Sequence, residues 1–364
     1  MKIFVFGSSL VSCYWNGAAT YYRGIYQSLH ALGHRITFAE PDIYGRQEHR
    51  DEEENYNYAD VRIYRGRREL DALLEEAADA ELLVKHSGIG ADDDYVAAGV
   101  VRAAGLGRAR AAYWDVDAPA TLAEMAAQDR HPLRSLLSAF DLVFTYGGGE
   151  AVVEGFRRYG ARCCHPIYNG FDPATHHPVA PAREFACAAG FVGHRLPDRE
   201  ARVEEFFFQP AGRMPDLAFL LAGAGWQERA LPANVQYAGH APSRWHNAIN
   251  SSARIVLNIN RASMAECGYS PPTRIFEAAA AGACIVSDAW AGMEAFFAPG
   301  EEILPAEDGK QVEAYIRSLS AEQAAAIGAR ARARALAEHT YDRRAQAVDA
   351  ILRAATEVES RGAP

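Results

Sequence analysis

Arg274 and Glu277 stand three residues apart in the run Ser270-Pro-Pro-Thr-Arg-Ile-Phe-Glu-Ala-Ala-Ala-Ala-Gly282. That spacing puts a guanidinium and a carboxylate on one helix face near its N-terminus. Pro271 and Pro272 suit the first turn of such a helix, where a missing amide donor costs nothing. Gly282 ends it, and Ala283 to Val286 read as a short parallel strand buried on both faces. A helix start carrying Arg274 and Glu277 beside a parallel sheet suits a diphosphate and a ribose. Ser270 and Thr273 border the same helix start and join Arg274 and Glu277 as donor-side candidates.

Other residues have types and places that bear on chemistry. Gly193 ends an apolar strand and is followed by Arg195, so backbone can approach a phosphate that an arginine binds bidentately. A surface pairing of Arg195 with Asp198 or Glu200 is the competing reading, and Arg199 is a second cation on the same segment. His86 follows the strand Leu82 to Lys85, and Asp115 follows Ala111 to Trp114. Both belong at the carboxyl edge of a parallel sheet, where either can serve as a general base. Asp115-Val-Asp117 resembles a metal-binding pair only in outline. The six cysteines, at 13, 163, 164, 187, 267 and 284, show no zinc-ligand spacing and need no disulfide framework. No metal ligand set and no cofactor site is expected.

The elements that position these residues alternate between short apolar runs and helical patterns. Strands are expected at 3–6, 35–39, 82–85, 111–114, 142–145 and 162–167, and then at 186–192, 218–221, 235–238, 255–259 and 284–287. This is the rhythm of doubly wound parallel sheets. The acidic, tyrosine-rich stretch 47–60 reads as a loop. Gly170, Pro173, Pro178 and Pro181 mark an interdomain linker at 171–183. The expected domains are therefore 1–170, a Rossmann-like acceptor-side domain, and 184–340, a Rossmann-like nucleotide-binding domain. A final helix in 341–364 crosses back to the first. Two such domains would face each other across a cleft.

At 364 residues, two domains are the natural division. The net charge of −10 argues against nucleic acid and against an anionic membrane as partners. No apolar run reaches the roughly 20 residues that span a bilayer, and the first residues read as a strand and turn. A cytoplasmic, soluble chain is expected.

Several motifs carry a resemblance to a known family. Gly193-His-Arg-Leu-Pro-Asp-Arg-Glu-Ala-Arg-Val-Glu-Glu-Phe206, Val256-Leu-Asn-Ile-Asn-Arg261, Gly268-Tyr-Ser-Pro-Pro-Thr-Arg-Ile-Phe-Glu-Ala278 and Asp288-Ala-Trp-Ala-Gly-Met-Glu294 resemble the CgeB-like, or spore-maturation-protein-like, glycosyltransferases of the GT-B superfamily. The likeness is strong in the carboxyl half and looser in the amino half. It implies an α/β chain of GT-B architecture that moves a sugar from a UDP-, GDP- or TDP-sugar to a small-molecule, glycan or protein acceptor. It also implies transfer without a metal, with retention slightly favoured.

By that resemblance Glu277 matches the glutamate that contacts the ribose hydroxyls, and the 193–199 loop binds diphosphate. Gly239-His240 matches the place where relatives hold the base. Tyr269 stands where related retaining enzymes carry a second glutamate against the donor sugar. In the first domain Trp15-Asn16-Gly17 contains the glycine that relatives use to admit donor or acceptor, and Tyr21 follows on the next helix. Two-domain nucleotide-sugar 2-epimerases, and a non-catalytic sugar-nucleotide-binding or envelope-assembly protein, are the alternatives.

Overall fold

The computed structural model describes residues 1–14, 16–51, 55–107 and 109–362, with side chains for all of these except Ser243 and those from 356 on. The chain divides into two units, one of Met1–Tyr168 with the chain from Tyr341 on, the other of Asn169–Thr340.

The first unit holds a seven-stranded parallel sheet of β1 (Lys2–Phe6), β2 (Arg35–Pro41), β3 (Ala59–Tyr64), β4 (Leu82–His86), β5 (Arg110–Asp115), β6 (Leu142–Thr145) and β7 (His165–Pro166). Their spatial order is β3-β2-β1-β4-β5-β6-β7. The central strands have no exposed face, so Ile3, Val5, Phe38, Val84, Trp114 and Phe144 share one core with Tyr22 and Tyr26 from the Ala19–Ala31 helix. The Tyr341–Gly362 helix belongs to this unit. His34 contacts its Asp349 at 2.9 Å, and Arg110 donates to the Leu352 carbonyl.

The second unit holds a six-stranded parallel sheet of β8 (Cys187–Val192), β9 (Phe219–Ala222), β10 (Val235–Tyr237), β11 (Ala253–Asn258), β12 (Ile285–Asp288) and β13 (Leu304–Ala306), ordered β10-β9-β8-β11-β12-β13. Phe191, Leu221, Ile255, Leu257 and Val286 form its core with Phe207 and Trp226. In both sheets the order reverses beside the first strand, between β1 and β4 and between β8 and β11. Those reversals are where an open α/β sheet leaves room for a ligand at its carboxyl edge.

Most expected strands are present within a residue or two. β3 and β13 are additions. The expected 47–60 loop ends in β3, and Tyr56 ties it back by donating to the Val11 carbonyl. The 162–167 strand shortens to His165–Pro166. The helix expected to open with Pro271 and Pro272 starts at Thr273, with Pro272 in extended backbone as its N-cap.

The 171–183 segment is more than a spacer. It is strapped along the Ser243–Ser252 helix, where Asn247 donates to the Thr175 carbonyl and accepts from the His177 amide. Ser251 and Ser252 accept from the Val179 and Ala182 amides.

One buried charge in the first unit yields a test. Lys85 ends inside the sheet edge with its side chain 4% exposed, and its ammonium meets Asp93 at 2.7 Å. Burial alone would raise the Asp93 carboxyl, but Lys85 and the amides of Gly90 and Ile89 hold it below its usual value. A depressed carboxylate contributes stability that is full above the unfolded value of 3.8 and is lost as pH falls below it. Asp93→Asn should cost about 2–3 kcal/mol at neutral pH, because it strands the ammonium while Asp93 itself is partly solvated. The cost should shrink below about pH 4. Urea melts at pH 7 and pH 3 check both parts.

Candidate functional site

The carboxyl edge of the second sheet gathers cations around a glycine. Gly193 follows β8 at the order reversal. A Cβ there would lie 2.7 Å from the Phe191 ring, 3.0 Å from Arg199 Nη1 and 3.2 Å from Arg274 Nη2. The glycine is required for space, and the two guanidinium groups are neighbours across it.

Arg274 bridges the reversal. Its Nε donates to the Val192 carbonyl at 2.6 Å, on the last residue of β8. Its Nη1 donates to Asn258 Oδ1 at 3.0 Å, on the last residue of β11. Nη2 is left beside Gly193, and the guanidinium lies over the Phe191 ring. Burial pushes the Arg274 guanidinium down from its usual value.

Arg199 is 8% exposed; its Nη1 donates to the His194 carbonyl at 3.3 Å, and its buried Nε has no hydrogen-bond partner. Burial and then the charge of Arg274 push it down to about 9. Two like charges facing one glycine repel each other, and the repulsion is strengthened by the burial of Arg199. Neither arginine has a carboxylate within ion-pair distance among the described residues. The pair is suited to an anion that can bond both.

The surrounding loops are braced by backbone. The Gly193 amide donates to the Ala222 carbonyl, and Trp226 Nε1 donates to the Gly193 carbonyl at 2.8 Å. Gly223, at φ +130°, passes so close that a Cβ would strike the Gly193 carbonyl. The Ala224 amide donates to His194 Nδ1, which puts the ring proton of a neutral His194 on Nε2. On the other side, Asp288 at the end of β12 is buried. It receives Arg202 Nε and Nη2 at 2.9 and 2.7 Å and the Asn260 amide at 2.9 Å.

Glu277 lies one turn into the Thr273–Ala280 helix, on the face of Arg274. His176 Nε2 stands 3.6 Å from Oε1 and His246 Nδ1 stands 3.7 Å from Oε2. Burial would raise this carboxyl, but His246, His176 and Arg274 together pull it down to about 2. It is ionised at any physiological pH. Among the described residues this trio is the one group whose His, Cys, Asp and Glu atoms converge as metal ligands do.

The donor-side candidates thus fall into two groups. Gly193, Arg199, Arg274 and Glu277 converge on the β8–β11 reversal. Thr273 opens the helix, and Ser270 is buried, donating to the Gly268 carbonyl. Tyr269 is 37% exposed with φ +45°, in a turn with Gly268 at φ +67°, and its ring packs over Gly292. Arg195 is occupied, with Nη2 paired to Glu200 at 2.6 Å. His240 is exposed, its ring nearly parallel to that of His194 with centroids 6.3 Å apart.

The first-unit candidates are corrected by burial. His86 is 0% exposed, packs among Tyr22, Tyr26 and Trp114, and its Nε2 bonds the Tyr26 hydroxyl at 2.5 Å. Burial pushes it well below its usual value, so it is a neutral core residue and not a base at an open edge. Asp115 is 0% exposed and accepts from the Asp117 amide at 2.7 Å and from Ser87. Burial raises its carboxyl, and its bonds shape the turn after β5. Tyr21 is also core, donating to the Ile167 carbonyl and accepting from Trp114 Nε1. Asn16 is buried and braces its own loop through Ser8, Ser9 and Ser12. Gly17 is exposed with open space at its Cβ, and Trp15 lies outside the described residues.

His176, His246, Asn258, Arg202 and Asp288 escaped sequence reasoning. For Asn258 and Asp288 a signal existed, since each is a polar residue closing an apolar parallel strand. For His176 and His246 none did.

Residues 199–350 match the family described as Glycosyl transferase-like. Sucrose-phosphate synthase from Thermosynechococcus elongatus aligns over 98% of this chain and 100% of its own, with TM-score 0.70 and 16% identity. Anabaena HepE, in complex with UDP and glucose, aligns over 97% and 100%, with TM-score 0.68 and 15% identity. An α-glucosyltransferase in complex with UDP and a DNA 13-mer aligns over 94% and 95%, with TM-score 0.58 and 12% identity. No curated protein sequence matches the chain. The fold is that of the GT-B glycosyltransferases.

A buried cation beside a like charge is a stability cost. Arg199→Met should therefore raise the melting temperature of the ligand-free protein by a few degrees. The same change should weaken pyrophosphate binding at least tenfold. Paired melts and titrations check this, and a lower melting temperature with unchanged affinity would refute it.

Proposed function

We propose that this protein is a glycosyltransferase that moves a sugar from a nucleoside-diphosphate donor to an acceptor hydroxyl. The observation that carries the reading is the Arg199–Arg274 pair across Gly193, with ionised Glu277 one turn further on. Those groups match a diphosphate followed by a ribose. The glycosyltransferase match over 199–350 supports it, as does a fold shared with HepE, whose structures include UDP and UDP-glucose complexes. A UDP-sugar is the first donor to test, and the CgeB-like branch is the one its motifs favour.

In this assignment Arg274 and Arg199 hold the diphosphate, with the amides that open the Thr273–Ala280 helix. Glu277 accepts from the ribose hydroxyls, His240 lies toward the base, and Tyr269 toward the sugar. Arg195 reaches the phosphates only on leaving Glu200. As the bond from the anomeric carbon to the diphosphate oxygen breaks, charge grows on the leaving group beside two fixed cations. The acceptor oxygen bonds to the anomeric carbon and its proton passes to the departing diphosphate. That front-side route keeps the anomeric configuration and needs no separate base. The burial of His86 and Asp115 supports it. Because the cations are the protein's own, transfer proceeds without a metal ion. The acidic balance of the chain favours a small-molecule, glycan or protein acceptor over nucleic acid, and its free thiols favour the cytoplasm. No helix among the described residues is long and apolar enough to cross a membrane.

Calorimetric titration should show UDP binding that Arg274→Ala weakens about a hundredfold and Glu277→Ala about tenfold, the difference between losing a fixed cation with a charge-assisted contact and losing a hydroxyl acceptor. UDP-, GDP- and TDP-sugars should be screened for diphosphate release with and without EDTA, and EDTA should make no difference. If no nucleotide binds below millimolar concentration, the reading fails. Epimerised free donor, or binding without turnover, would replace transfer with a different activity.

A further inference from the structure

The His176–Glu277–His246 cluster has a feature that nucleotide binding does not explain. Thr175 Oγ1 donates to the Asp172 carbonyl at 3.1 Å and contacts His176 Nδ1 at 2.9 Å. In the tautomer with its proton on Nδ1, His176 donates to Thr175 Oγ1 while that hydroxyl donates to the Asp172 carbonyl. The neutral ring then presents the lone pair of Nε2 toward Glu277 Oε1, 3.6 Å away. His246 Nδ1 faces the other oxygen at 3.7 Å. Neither distance is a hydrogen bond. Two imidazole nitrogens and a carboxylate oxygen that all lie within 4.8 Å of one another are an arrangement that can close on one cation.

We propose that His176, His246 and Glu277 bind a late first-row divalent metal ion, of which Zn²⁺ is the representative. Two imidazoles and one carboxylate are the donor set such ions select, whereas Mg²⁺ and Ca²⁺ take oxygen. Bonds of about 2.0–2.2 Å to one ion bring neighbouring donor atoms to roughly 3.3–3.7 Å. Each imidazole meets this toward one carboxylate oxygen, and the three ligand atoms lie within 4.8 Å of one another, so a small inward shift closes the set. The ligands are pre-positioned, since Asn247 clamps the strap carrying His176 to the helix that carries His246. The Thr175 hydroxyl orients His176 from the second layer, and the Ala241 carbonyl lies against the His246 ring. Side-chain exposures of 10, 23 and 15% leave the ion a way in.

Arg274 lies close enough to lower the Glu277 pKa, and its charge opposes a dication, so the site is labile rather than structural. Glu277 cannot serve a metal and a ribose together. The ion therefore excludes the nucleotide, and this consequence alone rests on the ribose assignment.

The test titrates untagged, metal-free full-length chain with Zn²⁺, and in parallel with Co²⁺, whose visible bands report a four-coordinate site directly on the unaltered protein. One ion should bind per chain. His176→Ala and His246→Ala should each weaken binding at least about tenfold, with melting curves showing that both variants fold. Saturating UDP should weaken Zn²⁺ binding in the unaltered protein. If that protein binds no Zn²⁺ below millimolar concentration, or both folded variants bind as it does, the site does not exist. If the variants lose Zn²⁺ but UDP leaves Zn²⁺ binding untouched, the metal site stands and the ribose assignment of Glu277 falls. If UDP binds and Zn²⁺ does not, the metal site alone falls.

Discussion

Arg274 is the contact on which the second unit's site depends. It ties the last residue of β8 to the last residue of β11 across the point where the strand order reverses. One bond to a backbone carbonyl and one to a side-chain amide oxygen hold a half-buried guanidinium in place without neutralising it, and Arg199 adds a second charge across Gly193. A folded protein tolerates such an arrangement only at some cost in stability. The counter-charge is supplied at a distance, because Asp288 is spent on Arg202 and on the Asn260 amide. The result is a local excess of positive charge on a chain whose net charge is −10. That local field, not the overall balance, is what an anionic ligand meets.

The two sheets make an instructive comparison, because they share an order reversal and treat it differently. At the carboxyl edge of the first sheet, polar groups are turned inward on one another. Ser8 meets Asn16, Ser87 meets Asp115, and Lys85 meets Asp93. At the edge of the second, cations and a carboxylate remain without full partners. The same topology thus builds a braced edge in one unit and an edge with unneutralised charge in the other. The difference lies in which side chains find internal acceptors.

Glu277 is the point where two chemistries meet. Its ionisation is secured by His246, His176 and Arg274 against the cost of burial, which makes it equally fit to accept hydroxyls or to bind a metal. What surrounds it comes from two distant stretches of chain besides its own helix, and the strap at 171–183 supplies one of them. A segment that composition marks as a spacer contributes a ligand because its backbone amides are satisfied by Ser251, Ser252 and Asn247. Unsatisfied backbone near a buried site is expensive, so the strap is held.

The sequence by itself determined the α/β alternation and the placing of most strands, and it singled out Gly193, Arg199, Arg274 and Glu277, which the structure places near the β8–β11 reversal. Those were legible because strand hydrophobicity, glycine stops and helix spacing are local properties, and the reversal edge follows from the alternation. Tertiary structure decided which of the polar residues at strand ends are accessible. His86 and Asp115 occupy the right edge by register, yet burial among Tyr22, Tyr26 and Trp114, or beneath the 115–117 turn, removes them from solvent. Tyr21 follows the same rule. Tertiary structure alone also brought His176 and His246 to Glu277, since ligands 31 and 101 residues from it carry no mutual spacing signal. Local pattern specifies elements; only packing specifies which side chains are left without partners.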